Sequence, residues 1–282
     1  FKDLETHLSG IIYGSWLKAS EQIRNSKENL GTIRFLIGPN TNLDYGDRIK
    51  VISSVSKLYS NFSIPKKLTI IEYNFRDMDW AQKQYEENKT INYDSNLVKN
   101  QCNDQNGCGS GFAGITQSNE GVILIGQGST GTGISYVGRT LKGQIYAHEY
   151  THIIQNINSV STNSGATYGM LPRWLLEGNA DWSGTAATFF MNYSEYLELR
   201  NSSLESQYAN ANLFTSEWIK TFLNPNFIAN SGQDNWAYWD KYDHWYVYAF
   251  GQMVNEILVS LKGTDSVMNL YKYSGNGMTF TE

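Results

Sequence analysis

Apolar residues recur at helical spacing through the start of the chain: Leu4, Leu8, Ile11, Ile12, Trp16 and Ile23 predict a helix over 3–28. "TIRFLIG" (32–38) is a short β-type run closed by Gly-Pro, and "KLTIIEY" (67–73) predicts a second strand. Between them, "DYGDRIKVISSVSKLYSNF" returns to the helical period, and a polar helix is expected over 76–88. The Asn-, Gly- and Ser-rich stretch 92–120 predicts a long, partly irregular excursion. "GVILIG" (121–126) is a third strand, followed by a Gly/Ser/Thr-rich loop and a helix from about Thr140 to Asn158. Beyond a loop at 158–169 the pattern is almost wholly helical, over about 171–190, 193–208, 214–223, 238–262 and 264–272.

Alternating α and β elements before the 140–158 helix, and helices after it, predict an α+β fold in one domain, 1–282. Its N-terminal α/β lobe (1–160) would carry a small mixed sheet and the 140–158 helix. The C-terminal lobe (161–282) would be mostly helical, with a cleft between the two. No internal repeat or coiled-coil pattern interrupts this scheme.

Composition narrows the picture. Hydrophobic residues at 40% and charged residues at 17% suit a folded chain and not a disordered one. The net charge of −5, with no basic run, argues against a nucleic-acid partner. No apolar stretch reaches the roughly 20 residues that span a bilayer, so no transmembrane segment is expected. The aromatic run "WAYWDKYDHWYVY" (236–248) predicts core packing, with the lining of a cleft as the other option. The chain opens "FKDLETHLSG", without a starting methionine or signal-peptide pattern, which reads as a processed or trimmed chain.

Both cysteines lie in "NQCNDQNGCGSGFAG". A disulfide between Cys102 and Cys108 is preferred over two free thiols, and Cys-x5-Cys without a nearby histidine is poor zinc spacing. Such a bridge points to a secreted, periplasmic or cell-surface location.

Candidate chemistry concentrates in "IYAHEYTHIIQ" (145–155). Residues four apart lie on one helix face, so His148 and His152 can aim both imidazoles at one point. Glu149 is offset round the helix, able to reach a metal-activated water without being a ligand. The polar residues sit among apolar ones, where unpaired polar groups are costly, which favours a metal site over a solvated face. A catalytic zinc usually takes three protein ligands, and only His7 and His244 remain as histidines. "LPRWLLEGNADWSG" (171–184) offers a carboxylate instead: Pro172 suits a helix start, and Glu177 and Asp181 are again four apart. Glu177 is the expected third ligand. Asp181 would accept a hydrogen bond from the outer ring nitrogen of a ligand histidine. The competing assignments are an ordinary surface carboxylate for Glu177 and a salt-bridge or solvent role for Asp181.

"HEYTH" together with "WLLEGNADW" resembles the gluzincin branch of zinc metallopeptidases, which includes thermolysin and the aminopeptidase-N-like enzymes. The resemblance implies a zincin-like fold, Zn2+ held by His148, His152 and Glu177, and Glu149 as general base and acid. The "EGxA" form is closer to the aminopeptidase-N-like side, and the acidic residue four after Glu177 matches thermolysin's pattern at Asp181. Two features depart from the family. The 24 residues between His152 and Glu177 exceed its usual spacing, and "GQGSTGTG" (126–133) does not match the G-x-M-E-N motif of aminopeptidases. In "YDHWYVYAFG" (242–251) a Tyr three before a Gly resembles the oxyanion-stabilising tyrosine of that group, giving Tyr248. His244, one turn earlier, is a second candidate, with Tyr242 and Tyr246 as further alternatives; packing is the competing role for each. Zincins also lay an edge strand antiparallel to the substrate just before the metal helix, and "GVILIG" is placed to be that strand.

The expected function is zinc-dependent hydrolysis of peptide bonds in a peptide or protein substrate. The alternatives are an inactive zincin-like binding module, or a metal-dependent hydrolase acting on another bond.

Overall fold

The computed structural model describes residues 8–41, 47–102, 108, 111–127, 143–159, 171–207, 215–222 and 246–278. Four strands, β1 (Thr32–Ile37), β2 (Lys67–Asn74), β3 (Gly111–Ile115) and β4 (Gly121–Gln127), form one mixed sheet in the order β1-β2-β4-β3. β1 and β4 run parallel to β2, and β3 runs antiparallel to β4. The helices are α1 (Leu8–Asn25), α2 (Arg48–Leu58), α3 (Met78–Glu87), α4 (Leu97–Gln101), α5 (Gln144–Ser159) and α6 (Arg173–Thr188). They continue with α7 (Tyr193–Gln207), α8 (Ser216–Phe222), α9 (Tyr246–Lys262) and α10 (Asp265–Gly275). The architecture is α+β, with every described strand before α5 and helices after it.

The two middle strands are apolar on both faces because helices cover both. Leu68, Ile70, Ile123 and Ile125 belong to the core that takes in the buried residues of α2 and α5. Their neighbours Ile71, Tyr73, Val122 and Leu124 pack with Ala81 and Tyr85 of α3, Val98 of α4 and both cysteines. Such double-sided burial is why these strands read as continuous hydrophobic runs and not as alternating ones. Cys102 and Cys108 are disulfide-bonded, and the bridge is part of this second core.

One strand assignment is corrected. "GVILIG" is not an edge: all of β4 is buried, and it pairs with β2 on one side and β3 on the other. A run apolar on both faces belongs inside a sheet. Among the described strands the edge beside it is β3, "GFAGI", which lies within the stretch expected to be irregular. Two glycines in five residues depress its β-propensity, so its pairing comes from tertiary position. At the far end of β3 the Ile91 amide donates to the Ile115 carbonyl at 2.8 Å.

α5 lies between the sheet and α6. Gly143, at φ 83°, turns the chain into it, a left-handed conformation that glycine adopts without steric cost. On its sheet side Ile153 packs over Gly121. α6 starts at extended Pro172, whose carbonyl accepts from the Leu175 amide at 3.0 Å. α6 and α9 come into backbone contact at Gly178 and Gly251, where a Cβ on either residue would overlap the backbone of the other helix. α9 is tied to α7 by a buried fork: Arg200 donates to Glu256 at 2.6 and 2.7 Å, and Tyr196 donates to the same carboxylate at 2.9 Å. Among the described residues, no helix is long and apolar enough to cross a membrane.

Candidate metal centre

α5 and α6 bring three donors to one point. The Nε2 atoms of His148 and His152 are 3.1 Å apart. Glu177 Oε2 lies 3.2 Å from His152 Nε2 and 3.6 Å from His148 Nε2. Among the described residues, these three form the group of His, Cys, Asp and Glu donors close enough to share an ion, all within 4.8 Å of one another. Ligands bound tetrahedrally at zinc distances of 2.0–2.1 Å lie about 3.3 Å apart, and the three separations bracket that value. Two imidazole nitrogens and a carboxylate are also a donor set that zinc accepts. The residues fit the ion.

Each histidine is held from behind. His148 Nδ1 is 2.8 Å from the buried Asp181 carboxylate, one turn after Glu177 on α6. His152 Nδ1 is 2.7 Å from Oε1 of Gln155, one turn on in α5. Burial disfavours protonation of His148, but the hydrogen bond and charge of Asp181, then Glu177 and Glu149, outweigh it and push its pKa up to about 10. The carboxylates around His148 thus favour positive charge at this point. Burial raises the Glu177 carboxyl, yet His152, His148 and Arg173 hold it well below the usual carboxylate range. Arg173 Nε stands 3.6 Å from Glu177 Oε1, one turn back on α6.

Glu149 is buried beside the donors and outside the ligand set. It abuts the edge strand: a Cβ on Gly111 would overlap its carboxylate. Glycine at this position lets the end of β3 approach the glutamate. Tyr248 on α9 lies over His148, with ring centroids 6.3 Å apart and planes 23° from parallel, and shares a hydrogen bond with Arg173. Burial and then the charge of Glu177 raise its phenol far above neutral pH, so the hydroxyl stays a proton donor.

His148, Glu149, His152, Glu177, Asp181 and Tyr248 therefore come together. His244, Tyr242 and His7 lie outside the described residues, as does the side chain of Tyr246. Two participants went unnoticed in the sequence, Gln155 and Arg173. Each had a signal: Gln155 is the polar residue three after His152 in an otherwise apolar turn, and Arg173 precedes Glu177 by four. In comparisons with known proteins, the chain matches no family model, no curated protein and no solved structure.

Proposed function

We propose that the chain is a zinc-dependent peptidase of the gluzincin type on a zincin-like fold, acting on peptide or protein substrates. The observation that carries this reading is the convergence of His148, His152 and Glu177 with a second carboxylate, Glu149, set beside them and not among the donors. A purely structural site needs no such extra base. When bound, zinc supplies Lewis acidity to the scissile carbonyl and to the attacking water.

The remaining work falls to the chain. Glu149 accepts the proton of the attacking water and delivers it to the leaving amine. Tyr248, protonated at neutral pH, donates a hydrogen bond to the oxygen on which negative charge develops. β3, outermost of the described strands and ending beside Glu149, would hold an extended peptide by main-chain pairing. The disulfide agrees with a secreted, periplasmic or cell-surface setting.

The test compares wild type with Glu149→Gln on a diverse peptide library read by mass spectrometry, with metal content measured in parallel. The variant should keep zinc and lose cleavage by about 100-fold or more, the lower bound of general-base catalysis. Equal cleavage by both proteins would refute the mechanism. Zinc retained with no cleavage by either would favour the binding module.

A further inference from the structure

We infer that Gln155 is a positioning residue that sets the tautomer of His152 and couples it to the helix bearing Glu177, an inference that rests on the metal-site reading above. Gln155 is fully buried, and both ends of its amide are engaged. Its Nε2 donates to the Leu176 carbonyl at 3.0 Å and to Asn179 Oδ1 at 2.9 Å, while its Oε1 faces His152 Nδ1 at 2.7 Å.

The direction of every bond in this chain follows from two main-chain carbonyls, which can only accept. Ser183 Oγ donates to the Asn179 carbonyl, so it accepts from the Tyr59 hydroxyl 3.0 Å away. Tyr59 in turn accepts from Asn179 Nδ2 at 2.9 Å, which turns Asn179 Oδ1 toward Gln155. Both acceptors facing Gln155, Asn179 Oδ1 and the Leu176 carbonyl, demand its nitrogen. Its oxygen is left for His152, whose Nδ1 must carry the proton. In the neutral ring the Nε2 lone pair then points at His148 and Glu177, the state a ligand requires.

The two histidines thus have Nδ1 engaged from behind by different means. Asp181 does it for His148 with charge. For His152 it is a neutral amide whose orientation is imposed from α6, by residues on either side of Glu177. Because Leu176 and Asn179 flank Glu177, the same bonds hold the second and third donors in register.

Two readouts test this on the full chain. In zinc-free protein at a pH where the ring is neutral, 15N NMR should show His152 as the Nδ1–H tautomer in wild type. Gln155→Leu should show a substantial Nε2–H population. Zinc affinity, measured by chelator competition on folded protein, should fall about 10- to 100-fold in the variant, the usual effect of losing a ligand's orienting partner. Gln155→Met, close in length but without the acceptor, is the second variant should Leu fail to fold, with the same expected results. A merely structural glutamine would lower the melting temperature and leave both readouts unchanged, and that result overturns the inference. Wild type failing to bind zinc would overturn the metal reading instead, while persistence of the Nδ1–H form in the variants would overturn the relay.

Discussion

Gly251→Ala should destabilise the protein although alanine is the better helix former. In the interior of α9 the substitution gains about 1 kcal/mol of helix propensity. Its Cβ, however, would overlap the Trp174 carbonyl and approach Gly178 Cα at 2.8 Å. These are backbone atoms of a buried helix, which cannot rotate away as a side-chain end can. Overpacking costs about 1–3 kcal/mol, and a backbone neighbour puts this site near the top of that range. The net loss is then about 2 kcal/mol, a fall in melting temperature of about 4–8 °C for a domain of this scale. Gly14→Ala is the internal control: on α1 its Cβ would meet Ser260 Cβ at an ordinary 3.6 Å. Only the propensity gain applies there, so its melting temperature should rise by about 2–4 °C. Thermal unfolding followed by circular dichroism reads both. If Gly251→Ala is as stable as wild type, the close approach of α6 and α9 is not as described, and the placement of Tyr248 over His148 loses its cause.

Replacing both cysteines by alanine opens a loop with a sequence separation of 6 and should cost about 2 kcal/mol of unfolding free energy by the chain-entropy relation. Urea unfolding with and without reductant should show the same loss on reducing wild type and no effect of reductant on the double variant; a wild type indifferent to reductant would contradict it. Glu256→Leu strands the buried Arg200 guanidinium and should cost about 3–5 kcal/mol. The Arg200→Leu/Glu256→Leu pair should unfold at higher denaturant than either single variant, because no charge is left uncompensated, and additive losses would argue against a coupled buried pair.

Most of the described helices, and three of the four strands, were legible because their signals are local. α5 and α6 declare themselves by the 3.6-residue period, and β2 and β4 by short apolar runs. The candidate donors' proximity was legible for the same reason, since four-residue spacing puts His148 with His152, and Glu177 with Asp181, on single helix faces. β3 was not, because "GFAGI" owes its extended form to pairing with β4 and not to its own residues. The edge was misplaced with it: a one-chain pattern shows that a strand is apolar, but not which neighbours it has. Gln155 was hidden differently. A glutamine in an apolar turn looks like a surface residue until the α6 carbonyl that orients it is in place.

The Tyr-x-x-Gly spacing in "YAFG" acquires a physical cause from the same contacts. Residues three apart share a helix face, so the face that presents Gly251 to α6 also presents Tyr248. Gly251 must be on that face because it meets the Trp174 carbonyl and Gly178, the turn of α6 that carries Arg173 and Glu177. With the helices packed to backbone contact there, Tyr248 has little choice but to lie over His148 and against Arg173. The tyrosine's position is thus a consequence of two glycines, one immediately after Glu177 and one three residues after Tyr248. Removing either glycine should disturb Tyr248 before it disturbs the histidines, which are held by α5 and by Asp181 and Gln155. On the proposed function, Gly251→Ala should therefore lose turnover while still binding zinc, and loss of zinc binding with the tyrosine still in place would invert that order of dependence.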